Sequence, residues 1–318
     1  MNNQDLFLKA IRKELSSKNS INDEIAGVLN ISYDAAHRRV SGKSKFSIEE
    51  TVALANYYNI SLDNLFSKSG TVIIEKTIEI TSLRDMLEYF KKSATQIAEL
   101  TKTPNSTLYY SAKDIPLFYF MDGTILSKFK AYVWLAFLNQ KQQNVSFEKF
   151  VIDEAFLEHT QKLKTVYENV TVKEIWNDTT INSSLQQILY FYEAGLLSFK
   201  SAVALYNDLK RILNLIKEKC NRTNFSIFYN EIILLNNNLL IETNEKLTMF
   251  VPYTLLGYFI TADQESSKNV LGFFNQQIDN SKLLNQAGIR DQNQFFNKAF
   301  RKIDYYMEKL NDQVDLQF

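Results

Sequence analysis

The stretch SINDEIAGVLNISYDAAHRRVSGKSKFS, residues 20–47, leaves the backbone few choices. Ser20 with Asp23 behind it makes an N-terminal cap for a helix through Ile25, Ala26 and Leu29. Asn30 stands where a tight turn is needed, and asparagine tolerates the left-handed backbone such turns require. A further helix runs from Ser32 to about Val40 and stops at Ser41-Gly42. Ser47 then caps IEETVALANYY and Ser61 caps LDNLF. Upstream, a helix over Asp5–Ser17 puts Leu6, Ile11 and Leu15 near one face, with Leu8 close by. The spacing therefore predicts five short helices over residues 1–66, a small all-α head.

Charge is distributed unevenly around this head. Lysine plus arginine (36) equals aspartate plus glutamate (36), so the chain as a whole is not a polybasic nucleic-acid binder. Residues 32–45, however, carry Arg38, Arg39, Lys43 and Lys45 against Asp34 alone. A patch of this kind meets phosphates even when its domain is near neutral.

With caps and turn placed, INDEIAGVLNISYDAAHRRVSGK running into SIEETVALANYYNISLDNLF resembles the helix-turn-helix of the Cro/CI-type (XRE-like) repressors. Ala26 matches the small alanine that lets two helices cross closely, and Ile31 the apolar residue after the turn. Ser32 begins the recognition helix, Gly42-Lys43 follows it, and SLDNLF matches the closing phrase of the last two helices. The departures are Asn30 in place of glycine, Ala36 at the usually apolar position inside the recognition helix, and Arg39 in place of a frequent bulky residue. The resemblance implies a DNA-binding head. Ser32, Tyr33, Asp34, His37 and Arg38 would then face base edges in the major groove, with Arg38 able to pair with guanine. Asp34 either accepts from cytosine or caps its own helix. Arg39, Lys43 and Lys45 would grip phosphate, which positions the head without reading sequence.

The remaining chain reads as an α+β body over residues 72–318, joined by the linker SKSGT at 67–71. VIIEKTIEI (72–80) has strand character, and 82–100 returns to helical periodicity. TLYYSAKDIPLFYFMDG (107–123) reads as extended and then turning. Helices are predicted around Ile125–Ala136, over 147–168, and over 183–219, where Tyr206, Leu209, Leu213 and Ile216 repeat at helical spacing. From 225 to 260, apolar runs broken by Asn-rich turns predict successive antiparallel strands. A last helix carries Phe296, Phe300, Ile303, Met307 and Leu310 in one stripe, either a dimer seam or the closure of the core. The fold class is thus α+β, a helix-turn-helix head and a mainly helical body with an antiparallel sheet. The layout, with the phrases SYDAAHRRVSGK and AKDIPLFYF, also loosely resembles bacterial regulators whose C-terminal region is poorly characterised. That likeness transfers no ligand and no catalytic residue.

Several classes of function find no support in the residues. With two histidines, His37 and His159, no histidine-rich metal site can be built. No phosphate-binding glycine loop appears among 8 glycines. Cys220 follows Lys217 and Lys219, which would lower a thiol pKa, yet a lone non-functional cysteine is the simpler reading. A single cysteine allows no internal disulfide and, with no secretory signal, points to the cytoplasm. The longest apolar run, FVPYTLLGYFI at 250–260, is too short to cross a bilayer. The expectation is a non-enzymatic, bacterial, repressor-like regulator that binds double-stranded DNA as a homodimer, without cofactor or metal. Its aromatic-rich body, from Tyr109 to Trp134, either packs a core or lines a pocket for a small-molecule or peptide effector. The rival reading keeps the helical head but makes it a protein-interaction module with no operator.

Overall fold

A computed structural model describes the chain except for residues 1, 16–19, 67–71, 139–144, 153, 233–235, 286–288 and 316–318. The expected linker at 67–71 lies outside the described residues. The chain divides into two compact units, residues 1–73 and 74–318.

The first unit is all helical: α1 (Asn3–Glu14), α2 (Ile21–Leu29), α3 (Tyr33–Val40), α4 (Ile48–Tyr57) and α5 (Leu62–Phe66). Capping explains where they begin. Asn2 and Asp5 form a reciprocal capping box on α1, and Ser47 and Glu50 form another on α4. Ser32 Oγ accepts from the Ala35 amide at the start of α3. Ser20 occupies the cap position of α2, but its hydroxyl makes no capping bond. Between α2 and α3, Asn30 adopts the left-handed conformation at φ 52°. The core gathers Phe7, Leu8, Ile11, Ile25, Ala36, Leu54, Ala55 and Tyr58. The inner face of α1 is therefore built on Phe7, while Leu6 and Leu15 are only half-buried. An aromatic edge-to-face contact between Phe7 and Phe46 explains the difference, since a ring covers more of this small core than a leucine.

The second unit is built on an eight-stranded sheet of order β1-β7-β6-β5-β2-β3-β4-β8. The strands are β1 (Glu75–Lys76), β2 (Thr107–Ser111), β3 (Thr171–Trp176), β4 (Phe225–Tyr229), β5 (Leu239–Glu242), β6 (Leu247–Pro252), β7 (Tyr258–Thr261) and β8 (Lys282–Leu283). The α+β class with a helical head holds, and the sheet is mostly antiparallel. Its centre differs from the expectation, because β2, β3 and β4 pair in parallel. Parallel neighbours need long crossovers. Here α7 (Ile125–Leu138) and α8 (Glu154–Asn169) join β2 to β3, and α9 (Asn182–Glu193) and α10 (Phe199–Lys219) join β3 to β4. β5, β6 and β7 form the expected antiparallel meander. β4 is not its neighbour, since β2 and β3 lie between β4 and β5. The strand expected over 72–80 shrinks to Glu75–Lys76 at one edge of the sheet.

Side chains alternate along β2: Leu108 and Tyr110 enter the main core, and Tyr109 enters a smaller one on the opposite face. The main core lies under α6 (Leu83–Leu100), α7 to α10 and α12 (Ile289–Asp315), while Phe274 of α11 (Gln264–Asp279) covers the other face. The stripe Phe296, Ile303 and Leu310 of α12 is fully buried in this core, with Phe300 and Met307 packed against it. It closes the body and is not left free as a seam. All eight aromatics between Tyr109 and Trp134 are buried as well. Among the described residues, no helix is long and apolar enough to cross a membrane.

Candidate nucleic-acid interface

Helix α3 is anchored by one small residue. Ala36 is fully buried, whereas Ser32, Tyr33, Asp34, His37 and Arg38 are all exposed. Tyr33, Asp34, His37 and Arg38 share one outward face because they lie at helical positions i, i+1, i+4 and i+5. An alanine at the contact lets α3 lie close to its neighbours, while the opposite face is left to solvent. Tyr33 and His37 stack one turn apart, with ring centroids 6.4 Å apart and planes 5° from parallel. The Tyr33 hydroxyl accepts from Asn22 Nδ2 of α2 at 3.2 Å, which ties the ring to the preceding helix.

The cations sort into two groups. Arg39 is half-buried and turned inward: its Nε and Nη2 donate to Glu50 at 2.9 and 2.6 Å, and Nη1 donates to the Ala35 carbonyl at 3.0 Å. That forked pair holds the Glu50 carboxyl below the usual carboxylate range, the bond from Arg39 being the largest cause. Arg39 is thereby spent on joining α3 to α4, and the expected phosphate grip does not fit its geometry. Arg38, Lys43 and Lys45 are exposed, and among the described residues none of their side chains has a hydrogen-bond or ion-pair partner.

The loop that displays the two lysines is fixed from an unexpected side. Gln4 of α1 donates through Nε2 to the carbonyls of Arg39 and Ser44, at 2.7 and 3.0 Å, and its Oε1 accepts from the Phe46 amide. Gly42, at φ +76°, makes the bend that starts this loop. Nothing near Gln4 in the sequence signals this role, because its partners are 35 to 42 residues away.

The body holds a buried polar cluster of its own. Glu174 of β3 points into the main core, fully buried, where the hydroxyls of Tyr119 and Tyr167 donate to Oε1 and Trp176 Nε1 donates to Oε2. Lys219, also buried, lies 4.8 Å from the Tyr119 ring and 5.2 Å from the Tyr167 ring. Burial pushes the Glu174 carboxyl up to about 7, against the pull of Lys219 and the hydrogen bonds. The neighbouring Cys220 is buried, and burial drives its thiol up to about 11, so the two nearby lysines do not make it reactive. His159 is half-buried in an open groove between α6 and α8. Among the described residues no cluster of metal-binding side chains occurs.

The molecule thus pairs a helical head that presents an exposed basic face with a larger α+β unit. Residues 2–113 match the family model of the BetR domain. The matched stretch extends beyond the head through β1 and α6 to the end of β2. No curated protein and no solved structure matches the chain.

Proposed function

We propose that the chain is a sequence-specific, DNA-binding transcriptional regulator, with α3 as a recognition helix of the Cro/CI type. The observation that carries this reading is the outward face of α3. Tyr33, Asp34, His37 and Arg38 project from a helix anchored through Ala36, with Lys43 and Lys45 in the loop behind it. The likeness to the BetR domain is in keeping with a DNA-binding regulatory role. In this reading Arg38 pairs with a guanine, Lys43 and Lys45 contact phosphates, and Arg39 holds the helix in place. Two chains related by a two-fold axis read half-sites about 34 Å apart. The body dimerises or senses a signal and performs no catalysis.

The test is binding of the full chain to genomic fragments over a salt series. Arg38→Ala is expected to lose about 1–3 kcal/mol of discrimination at one base position. Lys43→Ala should weaken all sequences alike and reduce the salt slope by about one. An Arg38→Ala loss no larger than that of a remote surface change such as Lys162→Ala overturns the recognition-helix assignment. A second reading rests on α4, where Ile48 and Val52, one turn apart on the same side, are 80% and 43% exposed. A head that binds another protein through this apolar face would enrich no sequence from the fragments.

A further inference from the structure

On the helical side of the sheet, a cavity of about 40 Å³ remains between α6, α8 and strands β2, β5, β6 and β7. Its wall is aromatic and aliphatic, and no charged side chain lines it. Its polar side chains are Thr77, Ser93, Gln96 and the three tyrosines Tyr89, Tyr110 and Tyr258. The Tyr110 and Tyr258 hydroxyls face one another, and Ser93 lies one turn along α6 from Tyr89. Burial keeps all three phenols protonated, so they offer donors and acceptors but no charge. An ion entering here would lose its hydration with nothing to balance it. A neutral, mainly apolar molecule with one polar group meets no such penalty.

Size decides how such a molecule enters. The free volume exceeds the ~30 Å³ share of one water but falls well short of the ~150 Å³ that takes up benzene. A ring-sized ligand therefore has to displace a wall. The sheet wall is held by ladders on both sides. The weak place is Thr77, which lines the cavity and follows the two-residue edge strand β1. It is held by its amide donating to the Tyr258 carbonyl at 3.1 Å and by its hydroxyl accepting from the Tyr258 amide at 2.9 Å. β1 directly follows the segment that joins the body to the head.

We propose that this cavity is an effector site for a small, neutral, aromatic molecule bearing one hydroxyl or carbonyl group, and that occupancy releases Thr77 from Tyr258. Displacement at Thr77 then alters the end of the body nearest the head in sequence. That last consequence for DNA rests on the regulator reading above, whereas ligand binding is measured without DNA, so the two fail separately.

The experiment uses the full chain with phenol and benzyl alcohol as probes, and benzoate and benzylammonium as charged counterparts. Both tryptophans, Trp134 and Trp176, lie in the body, so their fluorescence follows its melting alone. At about ten times its Kd a neutral probe should raise the body's Tm by roughly 3–5 °C. The charged probes should leave it unchanged. Amide exchange at Thr77 and Tyr258 should quicken with the neutral probes. Ser93→Phe, which fills the cavity from α6, should abolish the shift. Tyr258→Phe, which keeps the ring, should weaken benzyl alcohol binding severalfold and serves if Ser93→Phe does not fold. The proposal is overturned by no rise with either neutral probe, an equal rise with benzoate, unchanged exchange at Thr77, or undiminished binding in the variants.

Discussion

Arg39 and Arg38 are adjacent in sequence and opposite in use. Arg39 is bonded in a fork to Glu50 with about a fifth of each side chain exposed, so water screens the pair only in part. Arg39→Ala is expected to destabilise the head by about 1–2 kcal/mol, while Arg38→Ala stays within ~0.5 kcal/mol. Urea melts followed by circular dichroism check this, and a double-mutant cycle with Glu50→Ala isolates the pair. In the body, Glu174 poses a question of proton linkage. Its folded carboxyl holds a proton up to about 7, against a reference value of 4.5. Between those values the unfolded chain binds fewer protons, so this contribution is complete below 4.5 and is lost as pH rises through about 7. Lys219, lowered by burial, acts in the opposite sense at alkaline pH, where stability rises with pH up to its reference of 10.5. Glu174→Gln should flatten the acidic slope of Tm against pH. It should also cost stability at pH 5, because an amide cannot accept from both tyrosines on one side and from Trp176 on the other. Equal slopes in the two proteins would show that Glu174 does not titrate in this window.

At the scale of elements, the head was readable where local chemistry sets structure and unreadable where it does not. Capping serines mark the starts of α3 and α4 through bonds spanning three residues. By contrast, α1 begins at Asn3, two residues before the expected start, because Asn2 and not a residue nearer Asp5 caps it. Asn30 marks the turn locally, as the two serines mark their helices. Replacing it with alanine should cost about 1–2 kcal/mol, and glycine should be tolerated, because only the left-handed backbone is at stake. The Gln4 clip escapes such reading, since its three bonds cross from α1 to the loop after α3. Gln4→Ala should cost about 1–3 kcal/mol, and the Phe46 amide, which loses its acceptor, should exchange with solvent faster. A fall in affinity for all DNA sequences alike would follow from loosening Lys43 and Lys45. The central strand β3 is the largest element the sequence concealed. TVKEIW carries Lys173 and Glu174 in its middle, so it lacks the continuous apolar run expected of a strand buried on both faces. Glu174 is accommodated by Tyr119, Tyr167 and Trp176, and of those only Trp176 is close in sequence. The parallel pairing of β2, β3 and β4 is likewise a product of long crossovers and leaves no local trace.

For the whole molecule, the stretch that resembles the BetR domain and the units of the fold do not coincide. The likeness runs from residue 2 to residue 113, but the compact units divide at residue 73. The second part of the matched stretch is therefore a set of pieces of the body. β1 pairs with β7 at one edge, and β2 lies in the middle of the sheet between β5 and β3. Both partners of β2 come from beyond residue 113. α6 buries Met86, Tyr89, Phe90, Ala94 and Ile97, and Phe90 packs edge-to-face on Phe156 of α8, again beyond the matched stretch. A chain ending at residue 113 would expose those side chains and two unpaired strand edges, a template for aggregation. The head has a core of its own, with Phe7, Ile11, Ile25, Ala36 and Leu54 at or below 2% exposure. Three lengths of the chain separate these expectations. Residues 1–66 should give a monodisperse helical protein with a cooperative melt, residues 1–113 should associate, and 1–318 should be well behaved. In hydrogen exchange, the amides of α6 and β2 should be protected in the full chain and unprotected in the 1–113 fragment. Cooperative folding of α6 and β2 in that fragment would mean that the matched stretch is a domain in its own right, and that the sheet is assembled around it.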